Sequence, residues 1–221
     1  TMLDDNKIPM SAWEPHYFGR FALPLPEKSE VVADYEQIGE KIELVSKNAS
    51  VDLKKLVAQK PEDLKKGIAR GTASRYEKTV QLDNGSVVLV SRLEEFYTLN
   101  AYFVSDKNTV YHVMAKTLYV KDIPGAIEIM RKLSNAIYFR TPQYLPPHGS
   151  FALEEGYTTL SNDKYLEKIY MGAQIYGQRG IYITLLTKTI RRAEQSLLKR
   201  FDDRDYDSSI NDLASTGRIT T

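Results

Sequence analysis

Apolar residues recur along this chain at two periods, and the alternation between them marks out its elements. Ser74 to Leu82 alternates through Tyr76, Thr79 or Val80, and Leu82, and Val87 to Leu93 follows after Asp83-Asn84-Gly85. Asn-Gly accepts the positive φ values of a tight turn, so these runs predict a hairpin. Tyr97 to Val104 and Thr109 to Val120 predict a second pair around Ser105-Asp106-Lys107-Asn108, giving four antiparallel strands. Later, Tyr165 to Tyr176 sets Ile169, Met171, Ala173 and Ile175 against Leu166, Lys168 and Tyr170, then turns at Gly177-Gln178-Arg179-Gly180 into Ile181 to Thr187. Near the start, Tyr17, Gly19, Phe21 and Leu23 alternate with Phe18, Arg20 and Ala22, which predicts one opening strand. Pro24 and Pro26 lack backbone donors, so pairing should end there or continue only at a sheet edge. Lys41 to Ser46 predicts a further strand, and Phe151 to Leu153 and Tyr157 to Leu160 two short ones. Residues 1 to 15 read as an irregular arm and Glu27 to Val32 as a polar connection.

Helical spacing interrupts the strands three times. Leu53, Leu56 and Val57 share a face after Ser50, a residue suited to accept from unpaired helix amides. Pro61 fits the first turn of a second helix, with Glu62 and Asp63 near its positive end, Leu64 and Ile68 continuing the stripe and Gly71 as a stop. Asp122 is expected to cap a helix from Ile123 to about Phe139, with Pro124 in its first turn and Ile127, Met130, Leu133 or Ser134, and Ile137 spaced to bury one face. Glu194 to Phe201 predicts a fourth helix. Strands follow one another more than they alternate with helices, so the predicted class is α+β, antiparallel sheets with a few helices packed on one face. Thr141 to Gly149 is a Pro-rich joint between residues 1–140 and 141–221, the second part being expected to form the same domain or a closely packed one.

Composition narrows the chemistry. The 221 residues carry 30 basic and 29 acidic side chains, a net charge of +1, which argues against broad electrostatic binding to nucleic acid. There is no cysteine, so disulfides, thiolate metal sites and cysteine nucleophiles are excluded. No run approaches the roughly 18 apolar residues of a membrane span. His16, His112 and His148 lack partners at metal-ligand spacing, and His112 within a strand reads as a hydrogen-bonded or surface residue. No nucleophile elbow, phosphate-cradling loop or dinucleotide fingerprint is present, so no catalytic, metal or cofactor residue is assigned. The 15 tyrosines suit half-buried sheet faces and recognition surfaces. These features favour a binding protein over an enzyme.

Three segments resemble one family. Tyr17-Phe18-Gly19-Arg20-Phe21-Ala22-Leu23-Pro24-Leu25-Pro26 is similar to the opening segment of the type VI secretion lipase-immunity proteins, which neutralise Tle-type phospholipase effectors. Gly149-Ser150-Phe151-Ala152-Leu153-Glu154-Glu155-Gly156-Tyr157 resembles a second family segment, and Ser196-Leu197-Leu198-Lys199-Arg200 a Leu-Leu-x-Arg helix. Gly19, Arg20 and Pro26 are then family markers, with Arg20 expected to lock the scaffold through a carboxylate or carbonyl. Relatives carry cysteines where this chain has Tyr17 and Ala152. If those cysteines are bridged in the relatives, the resemblance implies that this chain has lost the bridge as a unit, a Tyr ring beside a small Ala filling its space. Relatives also continue into a C-terminal domain, expected here to be missing, cleaved or on another chain.

The resemblance implies a periplasmic inhibitor, its export signal removed, that binds a cognate secreted phospholipase and blocks its substrate entrance or lid movement. Its expected contacts are loop or terminal residues, Tyr144, Arg179, Arg204 and Tyr206. The residues alone leave two alternatives open, a periplasmic structural or assembly module and a hydrolase with scattered catalytic residues.

Overall fold

Val87, Val88, Leu89 and Val90 are buried in succession. Successive strand residues point to opposite faces, so a strand buried at every position needs cover on both sides. The fold meets that demand. In this computed structural model, which describes residues 13–69, 74–142, 144–161, 164–178 and 180–189, β6 (Val87–Leu93) lies within an eight-stranded, wholly antiparallel sheet. Its neighbours are β5 (Arg75–Gln81) on one side and β7 (Phe96–Val104) on the other. The sheet continues through β8 (Val110–Leu118), β4 (Glu40–Ser46), β3 (Glu30–Gln37), β12 (Glu167–Gln174) and β13 (Tyr182–Lys188).

The two helices take opposite faces of this sheet. Helix α1 (Ala49–Ala69) packs Leu53, Leu56 and Val57 against Val87, Leu89, Tyr102 and Val110. Helix α2 (Ile123–Ala136) puts Met130 and Leu133 into the other core, with Val88, Val90, Ala101 and Phe103. Met130 and Leu133, both fully buried, are worth about 1.5–3 kcal/mol each, and the partly buried Leu53, Leu56 and Val57 less. The class is α+β as predicted, but the helices do not share a face, because β6 has an apolar side chain on each. Asp83 fastens α2 to the β5–β6 turn by accepting from Arg131 and Asn135.

Several elements differ from the sequence prediction. The opening stretch is a hairpin of β1 (Trp13–Phe18) and β2 (Phe21–Pro26), with Phe18 opposite Phe21. Gly19 has φ +55° and reverses the chain at a point where alternation alone predicts continuation. Pro24 and Pro26 sit inside β2, tolerated because this two-stranded sheet leaves each strand an open side. The polar connection expected at Glu27–Val32 gives way to β3, which turns into β4 through Ile38 (φ 60°) and Gly39 (φ 80°), and isoleucine is an unusual residue for a positive φ. Pro61 lies within one continuous helix, not at the start of a second. The N-terminus of α1 is held by Asn108, whose carbonyl accepts from Ala49 N and whose side chain accepts from Ser50 N. Helix α2 stops at Ala136, and β-branched Ile137 with Tyr138 and Phe139 becomes strand β9 (Ile137–Phe139). Asp122 does not cap α2 through its side chain, which accepts from Tyr119 N.

Strand β9 forms a three-stranded sheet with β11 (Gly156–Thr158) and β10 (Phe151–Leu153). The hairpin meets the small sheet where Ala152 pairs with Gly19, two residues along from Tyr17, by Gly19 N to Ala152 O at 2.9 Å and Ala152 N to Gly19 O at 2.8 Å. The Tyr17 ring lies against the guanidinium of Arg140, 5.6 Å from its carbon. The described residues from Trp13 as far as Lys188 form one unit. Of the irregular arm expected over residues 1 to 15, Trp13 to Pro15 instead belong to β1, and the rest of it, the stop at Gly71 and the helix expected at Glu194–Phe201 lie outside the described residues.

Arg20, just after the reversal, donates from Nε to Glu167 Oε2 at 2.8 Å and from Nη2 to Glu167 Oε1. It also donates to the carbonyls of Gly149 and Leu160. Gln37 donates to Glu167 Oε1 at 2.9 Å and accepts from the Thr158 hydroxyl, and both Gln37 and Thr158 are fully buried. Arg20 thus ties the β1–β2 hairpin to β12 and to two loop carbonyls.

Three outcomes follow from this packing. A Cβ on Gly19 would overlap Ile169 Cδ1 and come within 2.8 Å of Phe151 Cε2, both in the core. Gly19→Ala should therefore cost about 2–4 kcal/mol in urea unfolding, the sum of positive-φ strain and overpacking. Gly172→Ala, with open space around it, should be within about 0.5 kcal/mol of wild type. Arg20→Ala should cost roughly 3–5 kcal/mol by leaving the Glu167 carboxylate desolvated, and Arg20→Leu with Glu167→Leu together should cost less than the two singly. An additive double-mutant cycle would refute the coupling.

The third outcome concerns His112, which sits beside Asn100 (Nε2 to Oδ1, 2.9 Å) with its ring 5.0 Å from that of Tyr102. Burial first, and then the charge of Lys60, lower its pKa, with Glu43 opposing. A depressed pKa gives stability that is present above the unfolded value of about 6.5 and is lost as pH falls through the folded value. Melting temperatures from pH 7.5 to 5.0 should decline below about pH 6.5, and His112→Gln should flatten that decline.

Candidate partner-binding surface

The segment from Arg140 to Ser150 is the most elaborately held irregular stretch among the described residues. Arg140 is 8% exposed. Its Nη1 donates to the carbonyls of Thr141, Pro142 and Tyr144, and its Nε and Nη2 reach those of Gly156 and Leu153. Burial lowers its pKa, while the Tyr35, Tyr111 and Tyr17 hydroxyls oppose the shift. An arginine in a protein stays charged, so the site holds a cation whose bonds all go to backbone oxygens. Five donors in a fixed fork suit that task, and lysine would not.

The far end of the loop is fixed independently. Arg20 donates to Gly149 O, and the Ser150 hydroxyl and amide both donate to Pro147 O, at 2.6 and 3.0 Å. A turn closes the near end through Tyr144 N to Thr141 O at 3.1 Å. Pro142, Pro146 and Pro147 restrict φ along the way. Between these fixed ends the loop displays Tyr144, 69% exposed, and Leu145, 73% exposed. Of the residues expected to contact a partner, Tyr144 is thus on an exposed, anchored loop. Arg179, Arg204 and Tyr206 lie outside the described residues. Arg140 and Leu145 were missed by sequence reasoning. The available signals were a lone arginine at the end of an apolar run and a leucine set among prolines.

A second exposed apolar area lies on the outer face of β3, β12 and β13. Tyr170 pairs with Leu186 there, Gly172 with Val32 and Thr184, and Gln174 with Tyr182. Val32, Tyr170, Tyr182 and Leu186 are all exposed. At the turn end, an open cleft of ≈ 290 Å³ is lined by Lys28, Glu30 and residues 174–178, with Lys28 Nζ over the Tyr176 ring. Among the described residues no group of three or more His, Asp or Glu side chains is arranged to hold a metal ion, and no helix is long and apolar enough to cross a membrane. The described geometry is that of a hydrogen-bonded sheet scaffold with exposed apolar residues on one loop and one sheet face.

No family model matches the chain, and no curated protein matches it by sequence. Solved structures do match. The unliganded immunity protein TplEi of the type VI secretion system of Pseudomonas aeruginosa superposes with a TM-score of 0.74 at 23% identity, covering 96% of this chain and 70% of that one. A chain of the Tle4–Tli4 complex gives 0.75 at 23% identity, over 95% of this chain and 68% of that one. TplEi bound to an "L" peptide gives 0.70 at 23% identity, over 94% and 67%. The fold of this chain is therefore that of type VI secretion immunity proteins, in agreement with the resemblance carried by its Gly19-Arg20 and Gly149–Tyr157 segments.

Proposed function

We propose that this chain is an immunity protein that binds and inhibits a Tle-type phospholipase effector. The observation that carries this reading is the fold shared with TplEi across 96% of the chain, supported by the family-like segments at Tyr17–Pro26 and Gly149–Tyr157. One matched structure is a Tle4–Tli4 complex, and carrying that pairing over gives this chain a Tle-type partner. Inhibition then proceeds by covering the effector's substrate entrance or restraining its lid, and it needs no cofactor. On this reading the chain acts in the periplasm and has no catalytic step of its own. A scaffold suits the task because a contact surface held rigid before binding loses less conformational entropy on association.

The test is to mix the purified full chain with the phospholipase encoded beside it. A stoichiometric complex with a Kd of about 1 nM or tighter is expected, in the range of standard-size inhibitory interfaces. Phospholipase activity on mixed micelles should fall to background at a 1:1 ratio. Undiminished activity, with no complex in calorimetry, would refute the reading.

A further inference from the structure

We propose that the loop Thr141–Gly149 is a preformed apolar wedge whose tip, Tyr144 and Leu145, inserts into an apolar, acyl-accommodating cleft of the lipolytic partner; this rests on the effector-binding reading above. Tyr144 and Leu145 are adjacent and are 69% and 73% exposed. Leaving two neighbouring large apolar side chains in water gains the folded chain nothing, and the loop does not fold them back. The stretch from Thr141 to Pro147 contains no charged residue, so the tip can be desolvated without stranding an ion. Meanwhile the base is overdetermined. Arg140 holds the carbonyls of Thr141, Pro142 and Tyr144 from inside, and Arg20 and Ser150 hold Gly149 and Pro147 from the other end. A loop that served only to join β9 to β10 would not need a buried guanidinium fixing its course. Fixing it sets the direction of the tip, which lowers the ordering cost of docking.

The partner's chemistry follows. A phospholipase must hold acyl chains, so the mouth of its site is lined with apolar surface that a Tyr-Leu pair can fill, the phenol oxygen staying at the polar rim. A lipid surface fits less well, because membrane-docking segments add Lys or Arg beside the apolar tip and this loop has none.

The experiment compares the wild-type full chain with Tyr144→Ser/Leu145→Ser and with Pro146→Gly/Pro147→Gly, binding each to the catalytically inactivated neighbouring phospholipase. Melting temperatures should be unchanged for the first variant, since both side chains are exposed. Its Kd should rise about 30-fold or more, as expected for central apolar anchors. The second variant keeps the tip but loosens its support, and its Kd should rise about tenfold. Wild-type affinity in the Tyr144/Leu145 variant would overturn the wedge while leaving the immunity reading intact. Failure of the wild-type chain to bind would overturn both. Co-sedimentation of the wild type with phosphatidylethanolamine–phosphatidylglycerol vesicles, lost in the Tyr144/Leu145 variant, would also overturn the wedge in favour of a lipid-inserting loop.

Discussion

The paired Arg20 and Glu167 side chains are the junction on which the remaining parts meet. Both are largely buried, with side chains 17% and 10% exposed, so neither ion is tolerable without the other. Glu167 begins β12, Arg20 follows the β1–β2 reversal, and Gln37 ends β3 while bonding both to Glu167 and to Thr158 of β11. Through Gly149 the same guanidinium reaches the Pro-rich loop. A single cation therefore fixes the hairpin, the large sheet, the small sheet and the loop against one another. The fork geometry of arginine makes this possible, since a bidentate pair with the carboxylate still leaves donors for two carbonyls.

Around that junction the packing divides into two layers on either side of the large sheet. Strand β6 carries apolar side chains to both, which commits α1 to one face and α2 to the other. The β1–β2 hairpin then covers the part of the second face that α2 does not reach, with Phe18 and Leu25 joining the same core as Ile169 and Phe151. Gly19 has no side chain because the close approach to Ile169 and Phe151 leaves no room for one, and its positive φ turns the chain at that point. The pair Gly19-Arg20 is thus a structural device in two halves, a reversal that brings the backbone close and a cation that holds it there.

The same economy connects scaffold to function. Contact residues contribute most when they are large, exposed and held in place before the partner arrives. On the proposed reading Tyr144 and Leu145 are such residues, with Arg140 and Arg20 organising the backbone beneath them. The tyrosine was legible in the sequence as a residue of a Pro-rich joint. Its support was not, because Arg140 acts through carbonyls, and a carbonyl has no sequence signature.

The sequence by itself determined the elements whose identity lies in local period and turn chemistry. Strands β5 to β8 follow from alternation and Asn84-Gly85, the inward set Ile169, Met171, Ala173 and Ile175 from period two, and the buried stripe of α2 from period 3.6. It also excluded cysteine chemistry outright. Only the tertiary structure decided that Tyr17–Pro26 doubles back, that β3 exists and pairs with β12, and that Arg20 finds Glu167 at a separation of 147 residues. Periodicity reports which face a residue prefers. It does not report what covers that face, and a desolvated charge chooses its partner from whatever the packing brings within reach.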